Sequence, residues 1–296
     1  MRARSLSLRH LKLAAALFGA GVRSIRPDTC LLPVPAFSEQ QRALVAAGCR
    51  IERFALSAAD GFRLDVHELC RTMALHKPSL CVLTNPHNPS GALTTAAEML
   101  TVVHDAAAAD VRLLIDEAFI DFAARETLTE LAPHDHVVVL RSLTKFFGMP
   151  ALRVGYAVAA PEVAARICAQ LPAWPVTTLA AGAAVEALRD EAYARATLAA
   201  VAEERPRLRE RLAGLDIETY ASAANFLLLR LPARAPNSTE LRAQLIRQCQ
   251  IVVRDCRSFE GMADGRFIRV AVRSRADNDR LVNALRAALQ EMSIAD

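Results

Sequence analysis

The 296-residue sequence predicts an α/β fold in three layers, a mostly parallel central sheet covered by helices, followed by a small α+β C-terminal domain. Three observations lead there. The runs Leu80–Leu83, Val111–Ile115 and Val137–Leu140 are largely apolar along their length, as strands buried on both faces are. Segments of helical character separate them, and strands alternating with helices are the pattern of a parallel sheet. After about residue 212 the alternation ends and a shorter mixture of strands and helices follows. With 53% hydrophobic residues the chain has ample core.

The elements follow in order. Pro33 to Phe37 reads as a strand end, and Ser38 as the N-cap of a helix that runs through Leu44 and Val45 and stops at Gly48. Arg50 to Leu56 alternates like a half-buried strand, and Asp60-Gly61 makes a turn. Asp65 opens a helix ending near His76, and Thr95 to Ala109 is another, with Met99, Leu100 and Val103 on one face. Val154 to Ala159 adds a strand, and Pro161 starts a helix where proline is tolerated. From Thr177 to about Leu212 the chain reads as long helices that Pro206 must kink or divide. The last unit has strands at 226–231, 251–254 and 267–272, a helix at 238–248, and a closing amphipathic helix with Leu281, Leu285, Ala288, Leu289 and Met292 on one side. The expected domains are an atypical N-terminal segment, 1–30, a large domain, 31–212, and a small domain, 213–296.

Composition excludes several classes. A net charge of +4 with scattered arginines offers no basic stripe for nucleic acid. Seven cysteines, an odd number without a Cys-x-x-Cys pair, read as free thiols of a reducing cytoplasm. No apolar run is long enough to span a bilayer. Residues 1–12 carry Arg2, Arg4, Arg9 and Lys12 without an acid, ahead of the apolar stretch 13–20. That resembles an export signal superficially, and a helix of the domain is the stronger reading. His134-x-His136 lacks a third metal ligand of suitable spacing. Ser142-x-x-Lys145 also fits a serine β-lactamase pattern, but no lysine here is followed by Thr-Gly.

The chemistry gathers at three strand ends. They carry Asn85-Pro86-His87-Asn88-Pro89-Ser90-Gly91, then Asp116-Glu117-Ala118-Phe119, then Ser142-Leu143-Thr144-Lys145 with Arg153 eight residues on. In parallel sheets ligands sit at the carboxyl ends of strands. Lys145 is one of only three lysines among 36 basic residues. It lies in an apolar stretch near a second cation, which lowers an amine's pKa and suits a lysine that condenses with a carbonyl.

These motifs, in this order and spacing, resemble the fold-type I, aspartate-aminotransferase-like enzymes of aminotransferase class I/II. The resemblance covers Leu31 to the C-terminus and implies a transferase-like three-layer fold, pyridoxal 5'-phosphate (PLP) as cofactor and a homodimer. It implies that Lys145 holds the cofactor aldehyde and moves protons, that Asp116 pairs with the pyridine nitrogen, and that Asn88 bonds the ring 3-oxygen. Ser142 and Arg153 would grip the cofactor phosphate and Phe37 would stack on the ring. The stretch 253–273 is similar to the threonine-phosphate decarboxylases of cobalamin biosynthesis, relatives of the histidinol-phosphate aminotransferases. It implies that Arg254 and Arg269 hold a substrate's carboxylate and phosphate, in an order left open. Arg273 is read as a surface residue.

Two departures accompany the resemblance. Phe119 stands where many aminotransferases have a tyrosine, and no Gly-rich turn with Ser/Thr-Glu precedes Pro33 to supply backbone amides to a phosphate. The readings are therefore a lyase releasing carbon dioxide from threonine phosphate, an aminotransferase of the histidinol-phosphate type, or a truncated relative without catalysis. Which bond at the substrate's α-carbon stands perpendicular to the cofactor ring separates the first two.

Overall fold

The computed structural model describes residues 11–130 and 135–292. The basic residues ahead of Leu11, His134 and the side chain of Met292 lie outside the described residues. The first sheet is built from β1 (Leu11–Leu13), β2 (Thr29–Val34), β3 (Arg50–Ala55), β4 (Leu80–Thr84), β5 (Arg112–Asp116), β6 (Val137–Ser142) and β7 (Val154–Val158). Helices α1 (Ala14–Ile25), α2 (Ser38–Ala46), α3 (Val66–His76), α4 (Ala96–Ala108) and the single-turn α5 (Leu143–Phe146) lie between them in the chain, and α6 (Pro161–Ala169) follows β7. The strand order is β1-β7-β6-β5-β4-β2-β3. All neighbours from β3 to β6 are parallel, and β7 and β1 close one edge antiparallel. The mostly parallel, three-layer expectation holds.

Alternating residues explain the three layers. Leu113, Ile115, Val137 and Val139 face one core with Leu69, Met73, Met99 and Val102 of α3 and α4. Leu114, Val138 and Leu140 face the other, with Leu17 of α1, Leu44 of α2 and Ile167 of α6. The stretch 14–25 thus packs as a helix on the sheet, with Leu17, Ala20 and Val22 buried.

Helices α7 (Thr178–Arg189) and α8 (Glu191–Ala213) lead to a second, antiparallel sheet of order β10-β11-β9-β8. Its strands are β8 (Glu218–Thr219), β9 (Phe226–Arg230), β10 (Arg254–Asp255) and β11 (Phe267–Ala271), with α9 (Ser238–Cys249) and α10 (Arg275–Met292) against it. Leu208 and Leu212 of α8 join Leu227, Leu229, Leu241, Ile268, Leu281, Leu285 and Leu289 in its core. Arg273 is a surface residue, donating to Asp277 at 3.0 Å.

Three expectations are corrected. Ser38 is the first residue of α2, and Phe37 is the N-cap, without a side-chain cap bond. The long helices divide at Asp190, which caps α8 by accepting the Tyr193 N–H at 2.8 Å, while α8 runs on through Pro206. Pro206 therefore does not divide the helices; it removes one backbone bond inside α8. The expected strand 251–254 shrinks to the two-residue β10, since Val252 is 72% exposed and has no core to enter. Asp65 and Thr95 cap α3 and α4 as their sequences demand, the latter in a full capping box with Glu98.

The loop after β4 docks on the second unit at Gly91, whose carbonyl accepts the Ala223 N–H at 2.8 Å. Gly91 has φ +82°, and a Cβ there would sit 3.1 Å from Ser222 Cα. Gly91→Ala therefore combines a left-handed backbone with overpacking, and the expected loss is about 3 kcal/mol in urea unfolding. A loss under about 0.5 kcal/mol would show that the two loops separate freely.

Candidate active site

The sheet order places the motifs side by side. Strands β2, β4, β5 and β6 are consecutive in the sheet, and their carboxyl ends lead to Phe37, Asn88, Asp116 and Lys145 respectively. Backbone bonds knit these ends: the Asn85 N–H donates to the Asp116 carbonyl at 3.0 Å, and the Glu117 N–H to the Leu140 carbonyl at 2.8 Å.

Lys145 sits in α5, the single turn after β6, and its side chain lines a cleft of about 920 Å³. Its pKa is lowered, first by partial burial and then by the positive charges of Arg269 and Arg153. Across the cleft stand Arg254 and Arg269, directly opposed Cα partners of the antiparallel β10–β11 pair. The Arg269 guanidinium lies 4.7 Å from the centroid of Phe226, and Phe226 makes an edge contact with Phe119 at 4.9 Å. Burial lowers the Arg269 pKa. Arg254 is more exposed, donates to Ser258 Oγ at 2.7 Å and lies over Phe259.

Asn88 is buried, and its side-chain oxygen accepts a hydrogen bond from Arg269. One bond thus joins the end of β4 to β11 of the second sheet. His87 orients the same loop. Since a carbonyl only accepts, its Nε2–H donates to Pro35 at 2.8 Å, while Nδ1 lies 2.7 Å from the Ser90 hydroxyl, which can donate to it when the ring is neutral. Burial pushes the His87 pKa down to about 4.

Asp116 ends β5 with both carboxylate oxygens held by donors. Oδ1 accepts the Ala118 N–H at 3.0 Å and Oδ2 accepts the Gln40 amide at 3.3 Å. Burial raises its pKa to about 6, against the pull of those two donors. Among the described residues it has no ion-pair partner. Glu117 turns away, toward Thr127, the Leu128 N–H and Arg141, which also pairs with Asp121.

The remaining expected residues take these places. Ser142 is buried, bonded to the Thr144 hydroxyl at 2.8 Å, and caps α5. Arg153 is exposed at positive φ, donating to the Pro150 carbonyl at 3.2 Å. The β6–β7 register sets Ser142 opposite Gly155, so Arg153 enters from the neighbouring strand. Phe37 is 37% exposed where β2 meets α2. The cleft thus brings together Lys145, Arg254 and Arg269, with Asn88 tied to it through Arg269, whereas Phe37, Asp116, Ser142 and Arg153 are not on its walls. Sequence reasoning missed Gln40, Asn225, Arg242 and Arg257, the last three on the cleft walls. Gln40 carried a readable signal: it lies four residues before buried Leu44, on the inward face of α2.

A model of aminotransferase class I and II matches residues 14–285. The threonine-phosphate decarboxylase of Salmonella typhimurium is 38% identical over 277 residues, spanning 92% of this chain and 74% of that protein. The crystal structure of histidinol-phosphate aminotransferase from Clostridium acetobutylicum superposes with a TM-score of 0.86 at 26% identity, over 95% of this chain and 83% of the other. L-threonine-O-3-phosphate decarboxylase from Porphyromonas gingivalis shares the fold at a TM-score of 0.84 and 24% identity, over 95% and 84% respectively.

The neutral His87 generates a pH prediction. Its folded pKa lies below the usual 6.5, so between pH 6.5 and about 4 the unfolded chain binds a proton that the folded chain refuses. Stability falls as pH falls through that window, by about 2 kcal/mol between pH 7 and pH 5 from this group. Urea unfolding of the wild type and His87→Asn at both pH values checks it: the variant is less stable at pH 7 and loses about 2 kcal/mol less on acidification. Equal acid sensitivity in both proteins would mean that His87 titrates normally.

Proposed function

The chain belongs to the aminotransferase class I and II family, and from that premise we propose that it is a PLP-dependent carboxy-lyase. Its reaction in this reading is decarboxylation of L-threonine O-3-phosphate to (R)-1-aminopropan-2-yl phosphate, a step of cobalamin biosynthesis. The relative that is 38% identical supports the substrate. The carrying observation is the pair Arg254 and Arg269, two guanidiniums on opposed strands of one cleft that also holds Lys145. An amino-acid phosphate presents two anionic groups, a carboxylate and a phosphate, and each finds a cation. Histidinol phosphate lacks the carboxylate. An aminotransferase acting on such a substrate is the alternative, and its support is the structural likeness at 26% identity.

The residues fit the cofactor. Asp116, buried and without an ion-pair partner among the described residues, suits a protonated ring nitrogen, which would hold it ionised. PLP, when bound, supplies an electron-poor ring that takes up the electron pair left at the substrate's α-carbon. This chain's residues do the rest. Lys145 would hold the aldehyde, and its lowered pKa leaves more of the amine unprotonated for that condensation; released as an ammonium, it would return a proton to the α-carbon after carbon dioxide leaves. Arg269, beside Asn88 and close enough to depress Lys145, takes the carboxylate; Arg254, further out, takes the phosphate. Asn88 would donate to the ring 3-oxygen, Phe37 would stack, and Ser142 and Arg153 would hold the cofactor phosphate. The first turn of α1 reads Ala14-Ala15-Ala16 and offers no side-chain hydroxyl to a phosphate, so in this reading Ser142 and Arg153 carry more of that task. We read the enzyme as a cytoplasmic homodimer with domains at 31–212 and 213–296 after the atypical segment 1–30. Among the described residues no helix is long and apolar enough to cross a membrane.

The test follows carboxyl-labelled threonine phosphate with PLP added. Labelled carbon dioxide and an amine product are expected; a keto acid with the label retained would move the assignment to transamination. Lys145→Ala should lower turnover by at least about a hundredfold. Arg254→Ala and Arg269→Ala should each cost about 2 kcal/mol of substrate binding, roughly thirtyfold in KM. Full activity in both arginine variants would remove the substrate assignment.

A further inference from the structure

Gln40 has no assigned task, yet it is a polar side chain only 1% exposed. Its Nε2 donates to Thr84 Oγ1 at 2.8 Å and to Asp116 Oδ2 at 3.3 Å. Thr84 and Asp116 are opposed residues of the parallel β4–β5 pair, so one amide group bridges the last side chains of two adjacent strands. An amide nitrogen has two hydrogens, and these two acceptors use both. The bridge also fixes the rotamer: turned over, the amide oxygen would meet the Asp116 carboxylate, acceptor against acceptor.

Helix α2 adds a second constraint. The Gln40 N–H donates to the Phe37 carbonyl at 2.9 Å, so the residue that would stack on the cofactor ring and the residue that grips Asp116 share one helical turn. The other charged or titratable groups near this strand end are engaged elsewhere. Glu117 faces Arg141 and Thr127, His87 is bound to Pro35 and Ser90, and Lys145 stands on the next strand end toward Arg269.

We propose that Gln40 is a positioning residue for Asp116: its amide, locked by Thr84, aims the carboxylate and favours its ionised form. The Ala118 N–H holds one oxygen and the Gln40 amide the other, so the two bonds restrain the carboxylate and leave lone pairs for a third donor. The third donor is the cofactor's ring nitrogen, on the reading of the site given above. A carboxylate that would otherwise take up a proton in this apolar place stays ionised near neutral pH because a neutral donor is already waiting there. The effect passes through Asp116 and not through contact with substrate.

The test uses the full chain with carboxyl-13C aspartate, and the Asp116 resonance is assigned by its loss in Asp116→Asn. In the cofactor-free protein Gln40→Leu should raise the Asp116 titration midpoint by about one pH unit. Gln40→His, which places a ring N–H where the amide nitrogen was, should restore it. An unchanged midpoint in a folded Gln40→Leu, or a Gln40→His that behaves like the leucine variant, would overturn the proposal and leave Gln40 a packed core amide. A parallel titration with PLP, followed by visible absorbance, should show its affinity in Gln40→Leu weakening at a pH about one unit higher than in wild type. If wild type itself gives no specific absorbance while the NMR midpoint still moves, the hold on Asp116 stands and the cofactor reading falls.

Discussion

A carboxylate at the end of a central strand sets the terms for much of this structure. Asp116 closes β5, in the middle of a sheet whose two faces are both covered, and burial raises its pKa to about 6. Such a group needs donors, and a strand end has few to give. The chain supplies one from its own backbone at Ala118 and one from α2 at Gln40, in the first turn after the N-cap Phe37. That start carries no side-chain cap, so the helix is placed by what it touches, not by its own terminus. The second carboxylate of the motif, Glu117, meets the same demand in a different way, with Arg141, Thr127 and the Leu128 N–H. Two adjacent acids on one strand end thus diverge: Glu117 has a guanidinium partner in Arg141, whereas Asp116 has only neutral donors among the described residues.

The second sheet contributes cations. Arg254 and Arg269 face each other across β10 and β11, a like-charge pairing that costs free energy in an empty cleft and makes that cleft strongly receptive to anions. Phe226 offsets part of the cost by presenting its ring face to the Arg269 guanidinium. The contact from Arg269 to Asn88 and the docking of Gly91 on residues 222–223 fix this sheet against the strand ends, so the arginines are held relative to Lys145 by two neighbouring points of one loop.

Much of this was legible in the sequence because it depends on strong local rules. Apolar runs of four or five residues became β4, β5 and β6, and the capping pairs at Asp65 and Thr95 became helix starts. The motif residues at the strand ends followed from strand order, since adjacent parallel strands put their carboxyl ends together. The failures have a shared cause. Ile251 to Val253 are apolar, but Val252 and Val253 line the cleft, and hydrophobicity alone does not distinguish a cleft wall from a strand. Pro206 signals a break, yet the chain turns at Asp190, where a carboxylate caps the next helix. For Gln40 the helical spacing shows an inward position on α2 but not its role, which lies in two residues 44 and 76 positions away.

Phe119 shows how a departure at one position is absorbed by the rest. A tyrosine there would bring a hydroxyl toward the ring 3-oxygen; the phenylalanine brings only an edge, and it spends that edge on Phe226. The aromatic pair then forms the floor under Arg269, which in turn holds the Asn88 side-chain oxygen. In the proposed reading Asn88 is the remaining side-chain donor to the 3-oxygen, and Arg269 takes the substrate carboxylate. The two are hydrogen-bonded to each other. Any substrate that draws on Arg269 therefore acts on the group that holds the ring, without a phenol between them to buffer the change. In that reading the phenylalanine leaves the 3-oxygen to Asn88, and Asn88 is bonded to the arginine proposed to meet the substrate.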